Sequence, residues 1–140
     1  MDQGDFLGPQ PIVVKLRAKD RWEAIDELVN ALVARGKIKA EQRDAIAAAV
    51  IRRERSMSTG IGFGIAVPHA STDLIGELVG VVGRSRQGVQ FDSLDGQPVK
   101  LVLLFLVPRG QFHKHRHTLV NVAKLLHRKD FRDGLGENLE

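Results

Sequence analysis

One histidine in this chain stands at the end of a run that could present it for chemistry: Ser58-Thr59-Gly60-Ile61-Gly62-Phe63-Gly64-Ile65-Ala66-Val67-Pro68-His69-Ala70. A neutral imidazole nitrogen is a good nucleophile near pH 7, because its reference pKa is about 6.5. The three alternating glycines permit backbone angles closed to other residues and let another molecule approach the main chain. Backbone N–H groups along such a loop can cradle an anion. Residues 65–67 read as a short buried segment, apolar and bounded by Gly and Pro. Pro68 fixes its own φ and biases Val67 toward an extended conformation. His69 is therefore delivered at the end of a stiff segment, beside a loop built for close approach. A histidine next to proline is usually an ordinary surface or capping residue, and the glycine loop is what favours chemistry here. A glycine-rich turn with no ligand is the bland reading of the same residues.

Two familiar glycine fingerprints do not fit. The dinucleotide motif, started from Gly60 and Gly62, requires glycine where Ile65 stands. The phosphate loop ends in Gly-Lys-Ser/Thr, a triplet absent from this run. A second group of candidates is His113, His115 and His117. On a strand all three would share a face and could bind a metal such as zinc. On a helix His113 and His117 are neighbours while His115 points elsewhere. The segment reads as a helix start, so His113 and His117 are expected to be surface residues, and a metal-binding domain ranks far behind.

Composition narrows the rest. The 140 residues suit one domain with a real core, and 43% hydrophobic with 27% charged residues is ordinary for a globular chain. No cysteine is present, which excludes disulfides and thiolate chemistry. No apolar run is long enough to span a bilayer, and the N-terminus lacks the pattern of a secretory signal. A cytoplasmic protein without direct membrane insertion is the expectation. The net charge of +4 invites a nucleic-acid reading, but aromatic residues are 5%, tyrosine is absent and the cations are scattered. Base stacking needs aromatic platforms, so no nucleic-acid partner is expected. A basic face suits an acidic protein partner or a phosphoryl group equally well.

The positioning elements follow from periodicity. Residues 1–10 read as a loose arm and residues 12–16 as a strand. Asp20 is a plausible N-cap with Glu23 in the capping-box position, and apolar residues from Trp22 to Val33 recur at helical spacing. Gly36 then marks a helix end, giving a helix over 20–35 with Trp22 as a core anchor. A second, alanine-rich helix is expected over about 40–53. It ends in Arg52-Arg53-Glu54-Arg55, which reads as a solvated helix end whose basic residues complement the dipole. Residues 71–75 read as a loop, 78–82 as a strand, and the Gly/Ser/Arg-rich stretch to Gly88 as another loop. A short strand at 89–91 and an Asp-Gly turn at 92–96 precede a long strand over 99–107, buried on both faces. A helix over about 112–127 and one more turn near 130–132 close the chain.

The run Arg53-Glu54-x-x-x-Ser58-Thr59-Gly60-Ile61-Gly62-x-Gly64-Ile65-Ala66-Val67-Pro68-His69 resembles the phosphorylation-site signature of the mannitol/fructose-type EIIA domains. These belong to the bacterial phosphoenolpyruvate-dependent sugar phosphotransferase system and include the nitrogen-regulatory EIIA branch. Gly88-Val89-x-Phe91-Asp92-x-x-Asp95-Gly96-x-Pro98-Val99 looks like the same family, and the resemblance covers about residues 12–131. It implies a single α/β domain over 1–140, with a mixed β-sheet flanked by helices. It implies an enzyme that transfers phosphoryl groups. His69 would take the group from the phosphohistidine of the carrier HPr and pass it to an EIIB domain for sugar uptake. In the nitrogen-type alternative, phosphorylation controls protein binding instead. Without cysteine or a membrane span here, the EIIB acceptor and EIIC transporter are expected on separate chains. Arg53 falls at the motif arginine, beside the phosphorylation site, where a guanidinium can bond phosphoryl oxygens in pairs. Counting back from Leu125 and Leu126, the family's second histidine falls on His115. Arg116 follows where members usually place Leu, which makes His117 the runner-up. The hydroxyls of Ser58 or Thr59 and the loop N–H groups at Gly60, Gly62 and Gly64 would hold the phosphoryl oxygens. No cofactor and no metal are implied, and a homo-oligomer is compatible with this reading.

Overall fold

The computed structural model describes residues 13–62 and 64–126. The expected N-terminal arm and the turn near 130–132 lie outside the described residues. The elements in order are β1 (Val13–Lys15), α1 (Arg21–Ala34), a 3₁₀ turn (Ala40–Gln42), α2 (Arg43–Ser56), β2 (Gly60–Gly62), β3 (Ile65–Ala66), β4 (His69–Thr72), β5 (Val79–Val89), β6 (Val99–Pro108) and α3 (Arg116–Leu126). They form a mixed α/β fold, a sheet flanked by helices.

The sheet runs β1-β5-β6-β3-β2, and β4 follows β3 along the same edge of β6. β5 is antiparallel to β6, while β3 and β4 are both parallel to it. β6 is thus bonded on both edges, and its side chains alternate between two cores. Val102, Leu104 and Leu106 join Leu28, Leu32, Ile46 and Val50 of α1 and α2. Leu101, Leu103, Phe105 and Val107 join the other cluster, on which Leu119 of α3 packs. This is the two-faced strand that the unbroken apolar run leads one to expect.

Helix α1 is capped as its sequence demands. Asp20 accepts the N–H of Glu23 at 2.9 Å, and Glu23 reaches back to the N–H of Lys19, also at 2.9 Å. Gly36, at φ +71°, closes the other end, with Gly36 N–H on Val33 O and Lys37 N–H on Leu32 O. That pair of bonds is a Schellman motif, and it requires the left-handed residue that glycine supplies.

Three expectations need correction. Ser71 and Thr72, read as loop, belong to β4 and pair with Val107 and Pro108. The stretch up to Gly88 is the second half of an eleven-residue strand, β5. Its polar residues alternate as a strand requires: Ser85 is buried while Arg86 is exposed. Helix α2 continues to Ser56, past the expected end at 53. Trp22 is only half-buried against the main core, with the Arg21 guanidinium 4.4 Å from its ring centroid. Among the described residues no helix is long and apolar enough to cross a membrane.

Gly83 of β5 marks where the first core is tightest. A Cβ there would lie 2.8 Å from Leu16 Cδ1 and 2.9 Å from Leu28 Cδ2. Forced overpacking of this kind costs about 1–3 kcal/mol. We expect Gly83→Ala to lower the unfolding free energy by that amount, read as a lower urea midpoint without change in the slope of the transition.

Candidate functional site

β3 and β4 are two pieces of one line along β6, interrupted at Val67-Pro68. The Val67 N–H turns away to Thr59 O at 3.0 Å, and the Pro68 carbonyl accepts the N–H of Phe105 at 3.1 Å. Proline has no N–H to offer a ladder, so the join falls where it costs no bond. His69 begins β4 in register with Phe105. Its ring stacks on Phe105 with centroids 4.8 Å apart and planes 7° apart, and Phe112 meets it edge-on at 5.9 Å.

The imidazole is oriented from behind. Nδ1 lies 2.8 Å from the Val67 carbonyl oxygen. A carbonyl only accepts, so Nδ1 carries the proton and Nε2 holds the lone pair. Burial beneath the two phenylalanines holds the His69 pKa below the ordinary histidine value. The Val67 carbonyl pulls it back up, Arg53 presses it further down, and Glu54 raises it. The result is an imidazole that is neutral at physiological pH and carries its lone pair on Nε2.

Arg53 and Glu54 are neighbours on the last turn of α2 and face different surroundings. Arg53 is half-buried, donates to the Met57 carbonyl at 3.0 Å and lies near enough to act on the charge of His69. Glu54, read from the sequence as part of a solvated helix end, is fully buried. Its carboxylate accepts the Thr59 N–H at 3.0 Å and hydroxyl at 2.6 Å, and the Arg21 guanidinium at 3.2 Å. The sequence offered one signal for it, a single acid inside a run of arginines.

The glycine run is a hairpin, β2 against β3, with a bulge between Gly60 and Gly62. Gly62 and Gly64 have φ of +96° and +76°, which only glycine adopts without strain. A Cβ at Gly60 would collide with Ser93, whose Cα lies 3.0 Å away. The hydroxyls expected to hold phosphoryl oxygens are engaged otherwise. Ser58 donates to Phe91 O and accepts the N–H of Gly60, and Thr59 donates to Glu54. Each has one proton and has spent it within the fold, so both shape the hairpin.

His115 lies in the turn that enters α3, its N–H shared between Gln111 O and Phe112 O at 3.2 Å each. Its Nε2 is buried without a hydrogen-bond partner. His113 and His117 are exposed. Among the described residues no group of three or more metal-ligating side chains is assembled. Sequence reasoning passed over Phe105 and Phe112, because an aromatic wall leaves no motif of its own.

The mixed sheet thus carries a half-buried, oriented histidine near an arginine, at the edge of β6. The chain belongs to the EIIA 2 family of the phosphoenolpyruvate-dependent sugar phosphotransferase system, whose match spans residues 5–138. It is 36% identical over 114 residues to a fructose-specific EIIA component of Haloferax volcanii, covering 81% of this chain and 73% of that one. It is 37% identical over 133 residues to a fructose-specific EIIABC component of Bacillus subtilis, covering 95% of this chain but only 21% of that protein. Among solved structures, the nitrogen regulatory protein IIA-Ntr of Neisseria meningitidis superposes with a TM-score of 0.76 at 28% identity, covering 89% of this chain and 83% of that one.

A lowered histidine pKa makes the folded chain bind fewer protons than the unfolded chain between the two values. The stability His69 contributes is therefore complete above its unfolded value, about 6.5, and is lost as pH falls through the folded value. We expect the urea midpoint to fall over that window. The fall should be smaller in His69→Gln, measured in the same buffers.

Proposed function

We propose that His69 is a phosphocarrier, accepting a phosphoryl group at Nε2 from the phosphohistidine of HPr and passing it to an EIIB domain. The observation that carries this reading is the bond from Nδ1–H to the Val67 carbonyl, which leaves Nε2 as the nitrogen with a lone pair. In the acceptance step the Nε2–P bond forms as the donor P–N bond breaks, and the donor imidazole recovers its electron pair. The transfer needs in-line positioning and stabilisation of the equatorial oxygens. Arg53 supplies the cation. The half-buried His115, with its unpartnered Nε2, is the second imidazole in preference to His117.

The rim supports a protein donor and acceptor. Met57, Leu94 and Phe112 are exposed apolar residues. Met57 directly precedes the hairpin, the Leu94 N–H bonds the Gly60 carbonyl at 3.3 Å, and Phe112 touches His69. Exposed apolar side chains around a reactive group suit contact with another protein. The Bacillus relative, named as one chain with A, B and C components, supports an EIIB domain as the acceptor. The likeness to IIA-Ntr supports a second reading, in which the phosphorylation state of His69 controls protein binding without sugar transport.

Incubation with phosphoenolpyruvate, Enzyme I and HPr should add one phosphoryl group by intact-mass spectrometry. His69→Gln should add none, and Arg53→Gln should accept the group roughly 10²–10³-fold more slowly, as when one charge-stabilising donor is removed. No addition to the wild type with active donors would overturn the carrier reading. Addition that no EIIB domain discharges would favour the regulatory one.

A further inference from the structure

Glu54 has no use in the transfer step as described, yet it is the best-buried charge of the site. An unpaired carboxylate in such a place costs several kcal/mol, roughly, so its partners indicate its purpose. Oε2 accepts the Thr59 N–H at 3.0 Å and Arg21 at 3.2 Å, while Oε1 accepts the Thr59 hydroxyl at 2.6 Å. The Thr59 carbonyl then accepts the N–H of Val67 at 3.0 Å. The Val67 carbonyl accepts Nδ1–H of His69 at 2.8 Å. A continuous run of hydrogen bonds therefore leads from α1 through α2 and the hairpin to the imidazole. Each link is made by a residue that the previous link orients.

We propose that Glu54 is a positioning residue for His69. Acting through Thr59 and Val67, its buried carboxylate places the carbonyl that selects the Nδ1–H tautomer and so keeps Nε2 presented for phosphoryl transfer. The purpose of that presentation rests on the phosphocarrier reading; the presentation itself does not. The countercharge is fixed as firmly as the carboxylate. The Arg21 N–H bonds Gln90 O at 3.0 Å, and its guanidinium lies over the Trp22 ring. Glu54 is also the negative counterweight to Arg53 at the imidazole, the two acting on its charge in opposite senses. Two consecutive residues of α2 thus set the field at His69, and only one of them is available to a phosphoryl group. If Glu54 merely tied α1 to α2, its loss would lower stability and leave the imidazole untouched.

The test uses Glu54→Gln and, as a second variant, Thr59→Val, which preserves shape and the N–H bond but removes the hydroxyl bond. Nitrogen-15 NMR of the His69 ring reports the tautomer and the titration midpoint without any donor protein. In Glu54→Gln the ring should leave its single Nδ1–H tautomer for a mixture, and the midpoint should fall further below the ordinary value. The maximal rate of phosphoryl acceptance should drop roughly 10- to 100-fold, as for a reacting group loosened from behind, with KM for phospho-HPr little changed. Thr59→Val should shift the tautomer in the same direction and by less, and it decides alone if Glu54→Gln does not fold. A folded variant with the wild-type tautomer and midpoint would overturn the proposal. If the wild type takes no phosphate, the carrier reading fails, and the ring spectra still support or overturn the positioning role.

Discussion

Strand β6 offers apolar side chains to both faces of the sheet, with Val102, Leu104 and Leu106 on one and Leu101, Leu103, Phe105 and Val107 on the other. Neither face can be left to water. The hydrophobic gain is about 25 cal/mol per Å² of apolar surface covered, so each face recruits its own layer of helices. α1 and α2 cover one, and α3 contributes to the other. The chain between those layers has to run along β6, and the join at Pro68 falls in that run. His69 therefore sits where a strand edge, an aromatic wall and the entry to α3 meet. Its stacking on Phe105 follows from the register of β4 on β6. The core and the His69 imidazole share one constraint.

The end of α2 shows how a helix divides adjacent residues between tasks. Successive helical positions point about 100° apart. Arg53 can therefore face the half-open rim while Glu54 enters the interior. The helix C-terminus favours positive charge, which suits Arg53 and Arg55 and works against Glu54. The acid is held by Arg21 and by both donors of Thr59. A residue retained against the local dipole, with every partner a fixed group, serves the hairpin and not the helix.

Much of this was legible in advance, for definable reasons. The caps of α1, the glycine-rich turn and the two-faced β6 have local causes, such as an Asx cap, left-handed glycines and an unbroken apolar run, whereas the pairing of β2 with β3 was not read in advance. β4 and the far half of β5 were hidden because Ser71, Thr72, Ser85 and Arg86 carry no apolar signal. They are strands because β6 supplies an edge to pair with, a long-range fact. His69 and Arg53 were singled out through a motif. The roles of Glu54, Phe105, Phe112 and the Val67 carbonyl depend on what lies across the sheet. Ser58 and Thr59 illustrate the same limit: a motif names a hydroxyl, but only the fold shows that Phe91 O and Glu54 have already taken its proton.

A carrier must accept a phosphoryl group readily and surrender it as readily, so it cannot hold the group too well. On the phosphocarrier proposal, the surroundings of His69 would meet both needs. Burial lowers the basicity of the imidazole. That keeps it neutral, as the proposed attack at Nε2 requires, and it would also make the same nitrogen a better leaving group. One neighbouring guanidinium, already anchored on the Met57 carbonyl, needs little reordering to meet the transferring oxygens, and the charge of Glu54 tempers its pull. A site with more cations and no buried acid would bind the phosphoryl group more tightly and pass it on more slowly. The paired charges at the end of α2 therefore suit a relay better than a trap.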